Sequence, residues 1–510
     1  MPIIRRTFVS FISNISKVLL SFLTGILLAK GLGPSDYGVL AFLLATFAAL
    51  RAFLDMGSSR AFFTFISKKS RTKIFFEYYI VWLLIQFLFT FVFIALIAPD
   101  DWVQRIWAGE NRQLVLLAFV AVFMRQQIWN LIAHVGESQR LTVSVQLINV
   151  LVAIIHLCLV AGMYWLDALT IERIFYFIIA EFILAGLLAF YVFPLHYAPG
   201  REALGGVFRE YWKYCLPQVP YVILIMLTGF ADTWLLQHYG GSIEQAYYAV
   251  AKQFSIISFI ATTSILRILW KEVAEANEQG NNTKVQFLYE RTHRILCVFG
   301  ATISCFLIPW TSEIIQFLLG EEYSGASVVL ALMLIATIYQ SLGQVNSVMY
   351  FSIELIRHYV IIGMIIMLVS LIISYLFLAP SNAVIPGLGL ASTGLAMKMV
   401  ILQFIAVNSY SWWLSRYQSW NYSYLHQFVT ICLLMLAGFF TYYTVNYIFV
   451  QSLHFIFRIC ITGMLYLVIA SLILYLMPSL LGMSRIEMMS YLNDLALKFK
   501  SFKKPENRHV

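Results

Sequence analysis

Charge is the scarcest ingredient of this chain. Only 12% of its 510 residues are Asp, Glu, Lys or Arg, 61% are hydrophobic and the mean hydropathy is +0.81, a balance that excludes an ordinary soluble domain. Acids are scarcer than bases, 25 against 34. Cysteine is sparse too: Cys158, Cys215, Cys297, Cys305, Cys432 and Cys460 lie within or at the ends of apolar stretches with no C-x-x-C pair. That pattern supports neither a disulfide framework nor a metal-ligand set, and the six read as reduced packing residues. The chain also lacks G-x-x-x-x-G-K-[ST], H-E-x-x-H, G-x-S-x-G and any cluster of His and carboxylates on one face, which removes P-loop ATPases, zinc peptidases and serine hydrolases. GLGLASTG at 387–394 is glycine-rich but enters an apolar helix without G-x-G-x-x-G spacing, and so reads as close helix packing. No polar segment is long enough to hold a separate activity. We therefore expect no catalytic residue, no cofactor, no metal and no nucleic-acid partner.

What is abundant is apolar sequence. Stretches of about 20 residues, each long enough to cross a hydrocarbon core of about 30 Å, recur from end to end, and they lack the period-2 alternation of barrel strands. The expected fold class is an all-α polytopic membrane protein. About fourteen spans are expected, near 8–29, 37–56, 74–98, 113–134, 142–165, 174–193, 214–237, 246–269, 293–311, 326–349, 358–379, 387–409, 425–448 and 455–476. Arg5 and Arg6 precede the first, as in a secretory signal, but Lys17 interrupts the apolar region and no A-x-A site follows, so it reads as a retained helix. With a cytoplasmic N-terminus most Lys and Arg fall inside: Arg60, Lys68, Lys69, Arg71 and Lys73 after the second span, then Arg267, Lys271, Lys284, Arg291 and Arg294 around the fourth inner connector. The outer connectors are short and rather acidic, as in PDDWVQRIWAGENR at 99–112. Both termini are then cytoplasmic, and the formal charge of +9 is positive-inside bias plus a basic tail (Lys498, Lys500, Lys503, Lys504).

TGILLAKGLGPSDYGVLA at 24–41 lines up with DTWLLQHYGGSIEQAYYAVA at 232–251, apart from two residues in the turn, and so matches the first span to the seventh. Two pseudo-symmetric six-helix lobes in one orientation, with a substrate path between them, is an architecture of transporters. The expected division is an N-terminal lobe at 1–197, a C-terminal lobe at 198–415, two additional helices at 416–480 and the basic tail at 481–510.

The remaining signal is charge inside the spans. Lys17, Arg51, Arg125, Lys252 and Lys398 are basic, whereas the deep acids are mainly Glu181 and Asp232. Each costs about 2.5–3.5 kcal/mol at the bilayer centre and so faces protein or a wet cavity; a cationic cavity implies an anionic ligand. Span 1 makes the best case, since Ser10, Asn14, Lys17, Ser21 and Thr24 form one helical stripe. Span 7 repeats it with Tyr214, Gln218, Tyr221, Thr228 and Asp232, and span 8 has a shorter version in Tyr248, Lys252 and Ser255. Lys17 lies about ten residues, roughly 15 Å, from either helix end, beyond the reach of snorkelling. For the others a structural role stands beside the functional one. Arg51 can pair with Asp55 at i, i+4 or line an inner mouth; Arg125, followed by Gln126, Gln127 and Asn130, can bind across helices or face the cavity. Lys252 can bridge to Asp232, and Glu181, alone on its helix, can be a buried neutral acid or a proton-coupling site. Lys398 has no comparable stripe. Pro217 and Pro220, early in span 7, discourage a straight helix and mark a hinge.

The stretch GLGPSDYGVLAFLLATFAALRAFLDMGSSRAFFTFISKKSR at 31–71 resembles the G-x-x-x-[YF]-G and D-x-G pattern of polysaccharide transporters, the O-antigen and repeat-unit flippases of the multidrug/oligosaccharidyl-lipid/polysaccharide exporter superfamily. FREYWKYCLPQVPYVILIMLTGFADTWLLQHYGG at 208–241 and EIIQFLLGEEYSGASVVL at 313–330 are similar to later parts of that family. The resemblance implies a flippase of the bacterial inner membrane that moves an undecaprenyl-pyrophosphate-linked oligosaccharide outward through a cationic cavity. It implies membrane lipids around it and the polysaccharide polymerase and chain-length machinery as candidate partners. Asn14, Lys17, Ser21, Arg125, Lys252 and Lys398 are then the expected cavity residues, Arg51 and Asp55 the inner mouth, Asp232 and Glu181 a coupling site or salt bridge. Three other readings stay open: a cation-coupled drug exporter of the same superfamily, which an acidic cavity would suit better; an integral-membrane polysaccharide polymerase or ligase, which usually carries a sizeable outer loop; and a scaffold, which would need no polar stripe.

Overall fold

The fold was obtained as a computed structural model, and the structure describes residues 3–193, 197–200, 202–256, 262–420, 424–449 and 454–490. The basic tail residues Lys498, Lys500, Lys503 and Lys504 lie outside them. Among the described residues every regular element is helical, as hydrocarbon solvent demands of a chain that must satisfy its backbone internally.

The first half comprises α1 (Ile3–Asp55), α2 (Ser58–Lys68), α3 (Lys73–Val92), α4 (Asp100–Ile106), α5 (Arg112–Phe123), α6 (Trp129–Ser138), α7 (Thr142–Trp165), α8 (Ile171–Val192), α9 (Leu204–Cys215) and α10 (Val219–Ser255). The second half comprises α11 (Thr262–Glu278), α12 (Asn282–Leu307), α13 (Thr311–Leu319), α14 (Ala326–Ser352), α15 (Ile356–Leu378), α16 (Ala391–Tyr417), α17 (Leu425–Phe449) and α18 (Phe455–Leu476). Among the described residues 12 helices are long and apolar enough to cross a membrane. The expected fourteen differ from this because spans 1 and 2 share one helix, α1, and spans 7 and 8 run together in the same way through α10. The eighth expected span, 246–269, also crosses residues 257–261, which lie outside the described residues.

Those two long helices are bent, and at matched places. Gly33 (φ 72, ψ 170) breaks α1 and Gly241 (φ 81, ψ −179) breaks α10, a backbone region open essentially to glycine alone. These are the glycines that the internal repeat pairs, so its two copies share a conformation as well as a pattern.

The chain divides into two compact units. One comprises Met1–Phe254, Ile315–Val329 and Met364–Lys398; the other comprises Ser255–Ile314, Leu330–Gly363 and Met399–Val510. Water cannot drive helices together inside lipid, so each unit depends on close packing, small residues and interhelical hydrogen bonds. The first unit has an aromatic core in which Phe62, Phe75 and Tyr79 are fully buried and the Phe62 and Tyr79 rings stack at 4.3 Å. Arg71, from the expected basic loop, is buried beside this core. It pairs with Glu202 and Glu210 and lies over the Phe75 ring at 4.6 Å, so it is no free loop cation. The second unit is pinned by buried polar contacts: Tyr289 on α12 donates to Asn346 on α14 at 2.7 Å, and Asn346 donates to the Val407 carbonyl of α16 at 3.0 Å. There α12 and α17 pack closely, the Cys305 carbonyl lying only 2.3 Å from where a Cβ on Gly438 would stand.

Within the first unit the two glycine turns touch each other. Ser35 and Ser242 hydroxyls are 3.4 Å apart, and a Cβ on Gly38 would stand 1.8 Å from the Ser242 carbonyl oxygen. Tyr37 donates to Gln253 at 3.1 Å, and Gln253 donates to the Ser21 carbonyl at 3.1 Å. Gly38→Ala must push two backbones apart and is expected to cost about 1–3 kcal/mol. Gly162→Ala, with nothing within 4 Å of the new carbon, is expected to be neutral or mildly stabilising. Thermal unfolding of the purified variants checks the contrast, and equal melting temperatures would remove the close turn contact from the account.

Candidate functional site

The polar stripe on α1 is exposed in part. Asn14, Lys17 and Ser21 are accessible, Ser10 is half-buried, and Thr24 turns inward to donate to the Leu20 carbonyl at 2.8 Å. Facing it is a feature that periodicity does not reveal. Between α5 and α6 the chain makes a π-helical turn, Met124–Ile128, an inserted-residue bulge of the kind that re-aims side chains at functional sites. Arg125 stands on that turn. Its side chain is exposed, although protein atoms lie densely around it. Lys17 is close enough to Arg125 to repel it electrostatically. Among the described residues neither forms an ion pair. Two cations within electrostatic reach of each other, neither in an ion pair among the described residues, offer a phosphate both a planar guanidinium fork and a point charge.

Glu181 lies within electrostatic reach of Arg125 but is held elsewhere. It is buried on α8, with its carboxylate 2.9 Å from His156 Nδ1 on α7. The acid therefore has a partner in space, and no spacing rule links positions on two helices.

Arg51 and Asp55 do not form the i, i+4 pair that their spacing allows. Met56 (φ 45) and Gly57 (φ 82) reverse the chain and bring the start of α2 onto Asp55, whose buried carboxylate accepts from Ser58 Oγ at 3.1 Å and from Ser59 N and Oγ at 3.0 Å each. Asp55 therefore caps a helix N-terminus, where a carboxylate is favoured. Arg51 turns to the π-helical segment and reaches Gln126 and Gln127 at 3.5 Å each. Gln127 in turn donates to Gln86 on α3 at 3.2 Å.

A second charged cluster in the same unit gathers around Asp232 on α10, and it corrects the expected partner. Lys398, not Lys252, clasps Asp232: its Nζ lies 2.5 and 2.6 Å from the two carboxylate oxygens, and Ser374 on α15 adds a hydroxyl at 2.6 Å. Lys398 is 1% exposed and so leaves the set of accessible cavity cations. Lys252 and Tyr248 lie within electrostatic reach of the same acid, and Lys252 is accessible. Pro217 occupies a short 3₁₀ turn, Leu216–Gln218, between α9 and α10, with Pro220 in the first turn of α10. Cys215, Leu216 and Val219 keep right-handed helical backbone, so the chain stays helical across this turn and only tightens where the prolines remove donors.

On the connector before α5, burial together with the Asp36 and Glu172 carboxylates pushes the Glu110 carboxyl above the usual carboxylate range. Arg112 there is engaged by the Ala95 and Ala98 carbonyls and Asp100. This acidic end offers nothing to an anion.

Several solved structures share the fold. The lipid II flippase MurJ in an inward closed conformation superposes with a TM-score of 0.67 at 14% identity, covering 92% of this chain and 99% of that one. An inward-facing multidrug resistance MATE family transporter of the MOP superfamily gives 0.59 at 14% identity, covering 79% and 94%. A MOP superfamily transporter from Pyrococcus furiosus, described by the reverse polarity of its binding pocket, gives 0.51 at 15% identity, covering 82% and 95%. Such identities speak for the fold alone. No curated protein matches the chain. The family model described as polysaccharide biosynthesis protein matches residues 3–269, just over half of the length. An all-helical membrane fold shared with MOP-superfamily transporters and that match together place this chain in the polysaccharide biosynthesis protein family.

Proposed function

We propose that the protein is a flippase that carries an undecaprenyl-pyrophosphate-linked oligosaccharide, the repeat unit of O-antigen or another surface polysaccharide, from the inner to the outer leaflet of a bacterial plasma membrane. One observation carries the reading. Lys17 and Arg125 lie within electrostatic reach of each other, accessible and without an ion-pair partner among the described residues, inside membrane-spanning helices. Such a pair is unfavourable alone and favourable around a pyrophosphate. Family membership supports a polysaccharide precursor as cargo, and likeness to a flippase named for lipid II supports a lipid-linked one.

In this proposal Lys17 and Arg125 hold the pyrophosphate, Asn14 and Ser21 bond to the same cargo, and Lys252 supplies a further accessible cation. Arg51, steadied by Gln126 and Gln127, links the inner mouth to the turn that bears Arg125, while Asp55 fixes the corner below it. Glu181 and His156 are the candidate coupling pair, and the Leu216–Gln218 3₁₀ turn with Pro217 and Pro220 is the hinge for alternating access. A pyrophosphate diester carries about two negative charges, and each gains about 2.3 kcal/mol per 100 mV on leaving an inside-negative cytoplasm. Outward movement is therefore downhill without ATP. The drug-exporter reading is disfavoured by the same two cations, which would repel a cationic drug. Partnership with a polysaccharide polymerase and chain-length machinery belongs to the proposal.

Expression in a strain that lacks its own repeat-unit flippase tests this. Wild type is expected to restore surface polysaccharide and Lys17→Ala to lose most of it, at equal protein levels. Full restoration by Lys17→Ala would sink the cavity assignment.

A further inference from the structure

The cluster of Asp232, Lys398 and Ser374, in which the lysine and serine are buried and the aspartate is 21% exposed, is unexplained by any role in holding cargo, since Lys398 is inaccessible and its charge is already met. As a fastener it is a poor choice. Taking the lysine ammonium out of water costs several kcal/mol, and apolar side chains of the same volume usually hold helices together as well or better. The cluster has a definite chemistry, however. A carboxylate turns both oxygens, at 2.5 and 2.6 Å, toward one ammonium. The Ser374 hydroxyl lies 2.6 Å from Asp232 Oδ1 and 2.7 Å from the Ser370 carbonyl, its one proton shared between the two acceptors. The three contributors come from α10, α15 and α16, so the ammonium sits where three helices meet. Tyr248 and Lys252, from the far arm of α10, are the other ionisable groups within reach of the acid. A carboxylate that turns both oxygens to one small cation, braced by a hydroxyl from a second helix, is the core of a cation site, and here the cation arrives from a third helix on a four-carbon tether.

We propose that the meeting point of α10, α15 and α16 is a monovalent-cation site permanently filled by the chain's own Lys398 ammonium. The tether makes this crossing independent of dissolved cations in the wild type. Once the lysine is shortened, Asp232 and Ser374 accept a small free cation, either a primary ammonium or a sodium ion. The inference does not depend on the cargo.

Chemical rescue tests it. In purified full-length protein in detergent, Lys398→Ala is expected to melt below wild type in choline chloride, whose cation is too bulky for the site. The melting temperature is expected to rise saturably, by roughly 2–5 °C, with methylammonium chloride, and further with ethylammonium and propylammonium as the vacated stem is filled. Sodium chloride distinguishes a bare metal ion from an ammonium as the accepted form. Wild type, and the double variant Asp232→Asn with Lys398→Met, are expected to show no such rise. Failure of every amine and of sodium to recover Lys398→Ala, including failure of that variant to fold in their presence, would overturn the proposal. An equal response from the double variant would overturn it as well.

Discussion

Replacing both Lys17 and Arg125 by alanine is expected to abolish cargo binding while leaving the protein as stable as before, or more so. A charged hydrogen bond is worth about 1.5–3 kcal/mol, so losing one at each of two phosphate contacts should weaken binding of an undecaprenyl-pyrophosphate oligosaccharide by about 10²-fold or more. Stability should move the other way. The two cations repel each other and have no ion-pair partner among the described residues, so truncation relieves repulsion and the cost of keeping charge in the membrane. Cations that merely fasten helices would behave in the opposite manner: their loss would lower the melting temperature and leave cargo affinity nearly unchanged. Thermal unfolding and cargo binding on the same preparation separate the two. A fall in melting temperature with unchanged binding would make Lys17 and Arg125 structural.

Asp232→Ala is expected to give the largest loss of stability in this chain, about 3–5 kcal/mol, because it leaves the Lys398 ammonium buried with no carboxylate. Adding Lys398→Met to the same protein should recover most of that loss, since it removes the stranded charge and fills the space with a side chain of similar length. A double variant no better than Asp232→Ala alone would mean that Asp232 stabilises the crossing by some other route, and the reading of the pair as one closed unit would fail. Lys252→Ala should be mild by comparison, because its ammonium is accessible.

The two predictions rest on charges that the sequence displayed with unequal clarity. Long apolar runs announce membrane helices because hydrocarbon tolerates so few alternatives, and the all-helical polytopic class was legible for that reason. The repeat was legible too, since Gly33 and Gly241 occupy equivalent places in the two quoted segments and share a conformation that almost no other residue adopts. The stripe on α1 could be read because Asn14, Lys17 and Ser21 follow one helical face. Three features could not. Lys398 and Asp232 are 166 positions apart, so nothing local distinguishes a cation that meets that acid from one that faces a cavity. Arg51 and Asp55 have pairing spacing, but Met56, an ordinary residue with φ 45, turns the chain and gives Asp55 to two serines. The π-helical turn at Met124–Ile128 arises from packing and leaves no sequence mark, yet it sets where Arg125 points.

The central claim is that an anionic, lipid-linked oligosaccharide crosses the membrane past Lys17 and Arg125. Its most direct test is transbilayer movement of an undecaprenyl-pyrophosphate-linked oligosaccharide in vesicles that contain only the purified protein, without ATP, under an imposed inside-negative potential. Wild type should move the lipid well above the rate of protein-free vesicles, faster with the potential than without it, and the variant with Lys17→Ala and Arg125→Ala should approach the protein-free rate. Movement no faster than in protein-free vesicles, or undiminished in the double variant, would contradict the account.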